Sequence, residues 1–285
     1  MFTTLISARE LQQLMASGAP LRVYDCSFEL MKPDAGAAQY VEEHIPGSVY
    51  VHLDQHLSDK QGADRASGGR HPLPSRETFA GRMASLGMSD GVQVVVLDRQ
   101  GANYCGRLWW MLKWCGHEAV AVLDGGLQAW KAAGGAVDSG PSPAPEPGDF
   151  NLKPTAAPTA STNSIVHSLG RPTQTLIDAR AGARFRGEVE PLDPVAGHIP
   201  GALNRPFGEN IGPDGLFKPA AQLRAEFENL LAGRDPASVV HHCGSGVSAI
   251  PNLLAMEVAG LGKTSLFAGS WSEWCSDPAR PVERG

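Results

Sequence analysis

Short, mainly apolar runs alternate along this chain with longer stretches of helical spacing. Residues 21–24, 92–97 and 119–123 are apolar runs of strand length, whereas 104–115 and 127–133 carry helical periodicity. The second half repeats the order: 175–177, 238–242 and 264–267 read as strands, and 247–261 and 271–275 as helices. Such alternation predicts an α/β fold in which each half is a mostly parallel sheet with helices on both faces. In sheets of this kind a ligand binds beyond the carboxyl ends of the strands.

The two halves are diverged copies. His44-Ile45-Pro46-Gly47 recurs as His198-Ile199-Pro200-Gly201, and Asp25 and Asp178 each follow an apolar strand. Arg99, Gly116, Gly125 and Trp130 stand 144 positions before Cys243, Gly260, Gly269 and Trp274. Matches in one order and one register are evidence of duplication. Between the copies, 132–162 is rich in Pro, Gly, Ala and Ser, and Pro-Ser-Pro-Ala-Pro-Glu-Pro-Gly at 141–148 cannot hold a helix. The expected organisation is a first domain at 1–135, an extended linker at 136–162 and a second domain at 163–285. From His44 to Arg99 is 55 positions, but from His198 to Cys243 only 45. The additional residues are assigned to a polar loop at 55–69, just before Arg70-His71-Pro72. A loop so polar belongs on the surface, where it has the length to approach the other domain's active site.

The candidate chemistry centres on Cys243, which follows the apolar pair Val239-Val240 and opens the stretch Cys243-Gly244-Ser245-Gly246-Val247-Ser248. A cysteine between strand end and helix start lies among amides without intrahelical partners, at the positive end of the helix dipole. Those donors stabilise a thiolate, which is the nucleophilic form. Gly244 and Gly246 let the backbone curl around the sulfur. At the equivalent place the first half has Arg99, which cannot be a nucleophile, so that domain is expected to be catalytically silent.

These residues together resemble the tandem-domain rhodanese family of sulfurtransferases over essentially the whole chain. The carriers are the two His-Ile-Pro-Gly motifs, Asp178-Ala179-Arg180 with Arg184-Phe185, the Cys243 loop, and Gly269-Ser270-Trp271-Ser272-Glu273-Trp274. The resemblance implies two rhodanese-like domains. It also implies a Cys243 persulfide that takes sulfane sulfur from a small anionic donor and passes it to cyanide or a thiol, a thioredoxin-like reductant among the acceptors. The loop beginning Cys-Gly-Ser-Gly-Val is similar to the mercaptopyruvate branch; the thiosulfate branch carries basic residues where Gly244 and Ser245 stand here. On this likeness residues 244–248 line the donor site, Arg184 binds the donor, and Ser245, His71 and Asp54 form a proton relay. The family's second arginine, in a Glu-Pro-Arg stretch, is replaced in Glu190-Pro191-Leu192, leaving Arg180 or Arg186 to compensate. A thiosulfate:cyanide transferase and a non-enzymatic persulfide carrier are the alternatives.

Composition narrows the field further. With 42% hydrophobic and 19% charged residues the 285-residue chain has a globular composition, and its net charge of −6 disfavours nucleic acid and anionic membrane as partners. No apolar stretch approaches the ~18 residues of a spanning helix. Five cysteines, an odd number, do not read as a disulfide framework, and the first residues show no leader pattern, so a cytoplasmic protein is expected. A cysteine phosphatase needs Cys-x5-Arg, and Ala249 occupies that arginine's place. His241, His242 and Cys243 are strand neighbours pointing to alternate faces, so they do not converge on one metal ion. No cofactor or metal is expected.

Overall fold

The computed structural model describes residues 1–285. The chain divides into two compact units. One contains Met1–Asp59, Pro74–Ala156 and Pro213–Phe217, and the other Lys60–Leu73, Ala157–Gly212 and Lys218–Gly285. Part of the polar loop of the first half thus belongs to the second unit. No helix is long and apolar enough to cross a membrane.

The first unit runs β1 (Leu5–Ile6), α1 (Ala8–Ala16), β2 (Leu21–Asp25), α2 (Ala35–Glu42), β3 (Val49–Tyr50), α3 (Arg76–Ser85), β4 (Gln93–Leu97), α4 (Cys105–Trp114), β5 (Val120–Leu123) and α5 (Gly126–Ala132). Its sheet is parallel throughout, in the order β1-β5-β4-β2-β3. The path moves one way across the sheet from β1 to β3 and back from β3 to β5. Right-handed crossovers therefore place α1 and α2 on one face and α3 and α4 on the other. Val95 and Leu97 of β4 join Leu11 of α1 and Leu127 and Trp130 of α5 in one core cluster, while the equally buried Val94 and Val96 point to the opposite face. All ten residues of α4 are buried, and Lys113 is accommodated with its ammonium 4.2 Å from the Trp109 ring.

The second unit contains α6 (Thr162–Ser168), β6 (Thr175–Asp178), α7 (Gly182–Phe185), β7 (Leu203–Asn204), α8 (Ala220–Leu231), β8 (Val239–His242), α9 (Ile250–Val258), β9 (Ser265–Leu266) and α10 (Ser270–Trp274). The parallel sheet has the order β7-β6-β8-β9. A fifth strand survives only as a parallel bridge between Thr159 and Leu266, and Leu266 stands 144 positions after Val122, the partner of Leu5 in the first sheet. Leu176 and Val240 pack with Phe267, Trp271 and Trp274 in the core of this unit.

One element starts later than its sequence suggests. α9 begins at Ile250, not at Val247, and Pro251 sits in its first turn, where a missing amide hydrogen costs nothing. Val247, Ser248 and Ala249 extend the loop that Cys243 opens.

Candidate active site

β8 delivers Cys243 to the carboxyl end of the second sheet, and residues 243–249 carry the chain to α9. Cys243 is 2% exposed. Its loop is fastened to the following turn. The Cys243 amide donates to Ser270 Oγ at 3.1 Å, and that hydroxyl donates to the Phe267 carbonyl at 2.9 Å. The Cys243 and Gly244 carbonyls accept from the amides of Trp271 and Ser272 at 3.0 and 2.9 Å. Ser270 is held at φ +55°, a conformation that a non-glycine residue keeps only when its surroundings impose it. Gly246 has φ +74°, and a Cβ there would stand 2.1 Å from the Ala268 carbonyl oxygen, so only glycine fits. With the carbonyls turned toward α10, the amides of Gly244, Ser245, Val247 and Ser248 donate to no protein acceptor. Successive open amides of this kind make an anion-binding concavity.

The other four cysteines are buried as well. Burial pushes the thiols of Cys26 and Cys105 well up, that of Cys115 to about 11, and that of Cys275 upward as well. Thiols raised in this way stay protonated near neutrality and are poor nucleophiles.

The segment Lys60–Leu73 completes the site. The Gly68 amide donates to Glu273 Oε2 at 3.0 Å, and the Arg70 amide to Ser272 Oγ at 3.0 Å. Gly69, at φ +82°, packs so closely that a Cβ would meet the Gly269 carbonyl oxygen at 2.5 Å. Clamped to the same turn that holds the Cys243 loop, the segment brings His71 Nδ1 to 2.8 Å from Ser245 Oγ, with both residues buried. Asp54, expected as their partner, belongs to the first unit. It lies in the turn after β3, where its amide donates to His52 Nδ1 at 3.0 Å.

Arg184, on α7, is held by carboxylates. Its Nε and Nη2 donate to Glu190 at 3.2 and 2.6 Å, and Nη2 also reaches Asp193 at 3.3 Å. Burial acts against the Glu190 carboxylate, but the bonds from Arg184 and from the amides of Leu192 and Asp193 outweigh it and hold the carboxyl below 4.5. Both arginines expected to compensate for Leu192 are committed to carboxylates. Arg180 is buried, bonded to Asp178 at 2.7 Å and lying over the Trp271 ring. Arg186 makes an exposed pair with Glu188 at 2.7 Å. Instead Arg70 stands over Gly244, where a Cβ would be 2.8 Å from its Nη2 and 3.5 Å from Nη1 of Arg184. Arg70 is absent from the sequence-derived site. Its only linear signal is a place between two glycines and His71, and its proximity to Gly244 depends on how the additional loop folds.

In the first unit, Arg99 fills the place equivalent to Cys243. Its guanidinium donates to Asp25 at 3.0 Å, to Ser27 Oγ and to the carbonyls of Gln39 and Glu43 at 3.2 and 2.6 Å. In the second unit the corresponding aspartate, Asp178, is neutralised by Arg180, two residues on, where the first unit has Ser27. The arginine that compensates the buried aspartate has changed position between the copies. It stands in the cysteine's place in one of them.

The pattern of a rhodanese-like domain matches residues 7–133 and again 162–277. The chain belongs to the rhodanese family and is a sulfurtransferase, an enzyme with a sulfur donor and a sulfur acceptor as substrates. A Pseudomonas aeruginosa protein named as a probable 3-mercaptopyruvate sulfurtransferase is 46% identical over 277 residues, 96% of each chain. A Mycobacterium tuberculosis protein, provisionally named thiosulfate sulfurtransferase SseB, is 41% identical over 283 residues, covering 99% of this chain and 97% of its own. The structure of a 3-mercaptopyruvate sulfurtransferase from Leishmania major superposes with a TM-score of 0.83 at 31% identity, covering 96% of this chain and 74% of that one.

Proposed function

We propose that the chain moves sulfane sulfur from 3-mercaptopyruvate, through a persulfide on Cys243, to a thiol or cyanide. The observation that carries this reading is the Cys243 loop, whose open amides sit beside a guanidinium pair and a His71–Ser245 hydrogen bond. The Cys243 thiolate attacks the donor's sulfur, and the carbon–sulfur bond breaks with its electron pair going to carbon as the enolate of pyruvate. The transferred sulfur arrives carrying the donor's thiol hydrogen. That proton passes to the enolate, leaving an anionic persulfide and pyruvate. Ser245 and His71, which share a hydrogen bond, move it, and Asp54 is the third member of the relay on the family likeness. Amides of residues 244–248 stabilise first the thiolate and then the persulfide, and Arg184 grips the donor carboxylate through its planar fork.

In the second half-reaction a nucleophile attacks the outer sulfur, and the electron pair of the sulfur–sulfur bond returns to Cys243. Cyanide then leaves as thiocyanate and a thiolate as a persulfide. A thioredoxin-like dithiol is a suitable acceptor, because its second thiol releases hydrosulfide as the disulfide closes. The cytoplasm, where such thiols stay reduced, is the compartment this chemistry suits.

Rates with mercaptopyruvate and thiosulfate measured side by side test the donor. Higher kcat/KM for mercaptopyruvate is expected, because no basic residue follows Cys243 directly. Higher kcat/KM for thiosulfate, the donor named for the mycobacterial relative, would reverse the assignment. The persulfide is tested by mass spectrometry after donor treatment: one added sulfur on Cys243 is expected, and none with Cys243→Ser. Sulfur on Cys26, Cys105, Cys115 or Cys275 instead would sink it.

A further inference from the structure

We infer that Arg70 is the second cationic contact for the donor's carboxylate, supplied from the Lys60–Leu73 segment in place of the arginine absent at Leu192. The inference rests on the sulfur-transfer reading and narrows its substrate class to donors bearing a carboxylate next to a carbonyl. Four observations carry it. Arg70 and Arg184 share one carboxylate: Asp193 accepts from Arg70 Nη1 through Oδ1 and from Arg184 Nη2 at 3.3 Å through Oδ2. The Asp193 side chain is 2% exposed, so it is a fixed spacer that holds the two guanidiniums as a pair. Both guanidiniums approach Gly244, next to the nucleophile: a Cβ there would be 2.8 Å from Arg70 Nη2 and 3.5 and 3.6 Å from Nη1 and Nη2 of Arg184, and of these nitrogens Arg70 Nη2 and Arg184 Nη1 have no protein acceptor. Both side chains keep partial access, 27% for Arg70 and 17% for Arg184, as a ligand contact requires.

The backbone behind Arg70 is prepared in advance. Its own amide is fixed to Ser272, Gly68 to Glu273, and Gly69 is pressed against Gly269. Positioning of this kind reduces the ordering that a long side chain undergoes when it binds. Two planar forks facing one anion offer parallel N–H donors to a carboxylate oxygen pair and an adjacent keto oxygen. Leu192 cannot do this. Its amide instead ties Glu190 at 3.1 Å, which helps to fix Arg184.

The test compares 3-mercaptopyruvate with its uncharged carboxamide, which carries the same sulfur without the carboxylate. Arg70→Ala is expected to lower kcat/KM for mercaptopyruvate about 10- to 100-fold, the loss of one charge-assisted contact, mainly through KM. With the carboxamide the same variant should stay within about threefold of the parent, the range left to uncharged contacts. Arg70→Lys keeps the charge without the fork and should fall between. Equal losses on both donors would mean that Arg70 only holds the loop, and no loss on mercaptopyruvate would overturn the inference outright. An arm independent of turnover measures pyruvate binding to Cys243→Ser by calorimetry, with and without Arg70→Ala. At least about tenfold weaker binding is expected, again one charge-assisted contact. Unchanged binding refutes the role of Arg70, whereas failure of both donors with the unmutated protein, while pyruvate binding still depends on Arg70, refutes the sulfur-transfer reading alone.

Discussion

His71 Nδ1 lies 2.8 Å from the Ser245 hydroxyl, although the two residues are 174 positions apart. The contact exists because the Lys60–Leu73 segment folds with the second unit, where its glycines dock on the turn at 269–273. A buried imidazole bonded to a hydroxyl two residues from Cys243, the proposed nucleophile, can carry a proton to an enolate, a task that sulfite, released from thiosulfate, does not impose. His71→Ala is therefore expected to lower kcat with mercaptopyruvate about 100-fold, the low end for a proton-transfer group. Thiosulfate turnover should change by less than about threefold, as for a group outside the transition state. Parallel losses on both donors would assign His71 to holding the loop.

Gly246 sets the shape of the Cys243 loop. Its φ of +74° and the 2.1 Å approach of a Cβ to the Ala268 carbonyl leave no room for a side chain. Gly246→Ala should cost about 1–3 kcal/mol in stability through backbone strain and should disperse the open amides around Cys243. Urea denaturation and persulfide formation check the two consequences. An alanine variant with native stability and native rate would show that the loop is not held as tightly as these contacts imply.

The strands and the duplication were legible in the sequence because buried parallel strands are continuous apolar runs and the copies keep a constant register from Arg99 to Trp130. The placement of Cys243 at a strand end followed from the same pattern. The start of α9 was not legible, since Val247, Ser248 and Ala249 are acceptable in a helix, and the positive φ of Gly246 and its close approach to Ala268 are tertiary features of the loop before them. Ser270 gives no sign of its positive φ, because the contacts that impose it come from Cys243 and Phe267. Arg70 was hidden for a related reason. Its position is decided by tertiary docking of an additional loop, while Arg180 and Arg186, nearer in sequence to the missing arginine, are committed to Asp178 and Glu188.

Arg99 explains why the first unit should stay silent even after a cysteine is installed. The guanidinium neutralises Asp25, which is fully buried. Burial already raises the Asp25 carboxyl, and Arg99 is the main influence opposing that rise. Arg99→Cys would leave this carboxyl without its cation and should destabilise the unit by about 3 kcal/mol, as for a broken buried pair. No second sulfur per chain should appear after donor treatment. Native thermal stability, or two added sulfurs by mass spectrometry, would refute this account.

Glu190 links Arg184, the arginine proposed to bind the donor, to acid stability. Its carboxyl is held below 4.5 in the folded chain, against burial, by the bonds from Arg184 and the neighbouring amides. A carboxyl lowered by folding contributes stability that is complete above its unfolded value and disappears as the pH falls through the folded one. Glu190→Gln removes the charge at every pH, so it should cost about 1–3 kcal/mol near neutrality, the loss of a charged hydrogen-bond acceptor. The gap between parent and variant should then narrow as the pH drops past 4.5, because the parent loses the same interaction by protonation. Urea titrations at a series of pH values measure this gap directly. The same variant should loosen Arg184 and raise KM for mercaptopyruvate more than it lowers kcat. A stability gap that stays constant with pH would show that Glu190 acts through its shape and not through its charge.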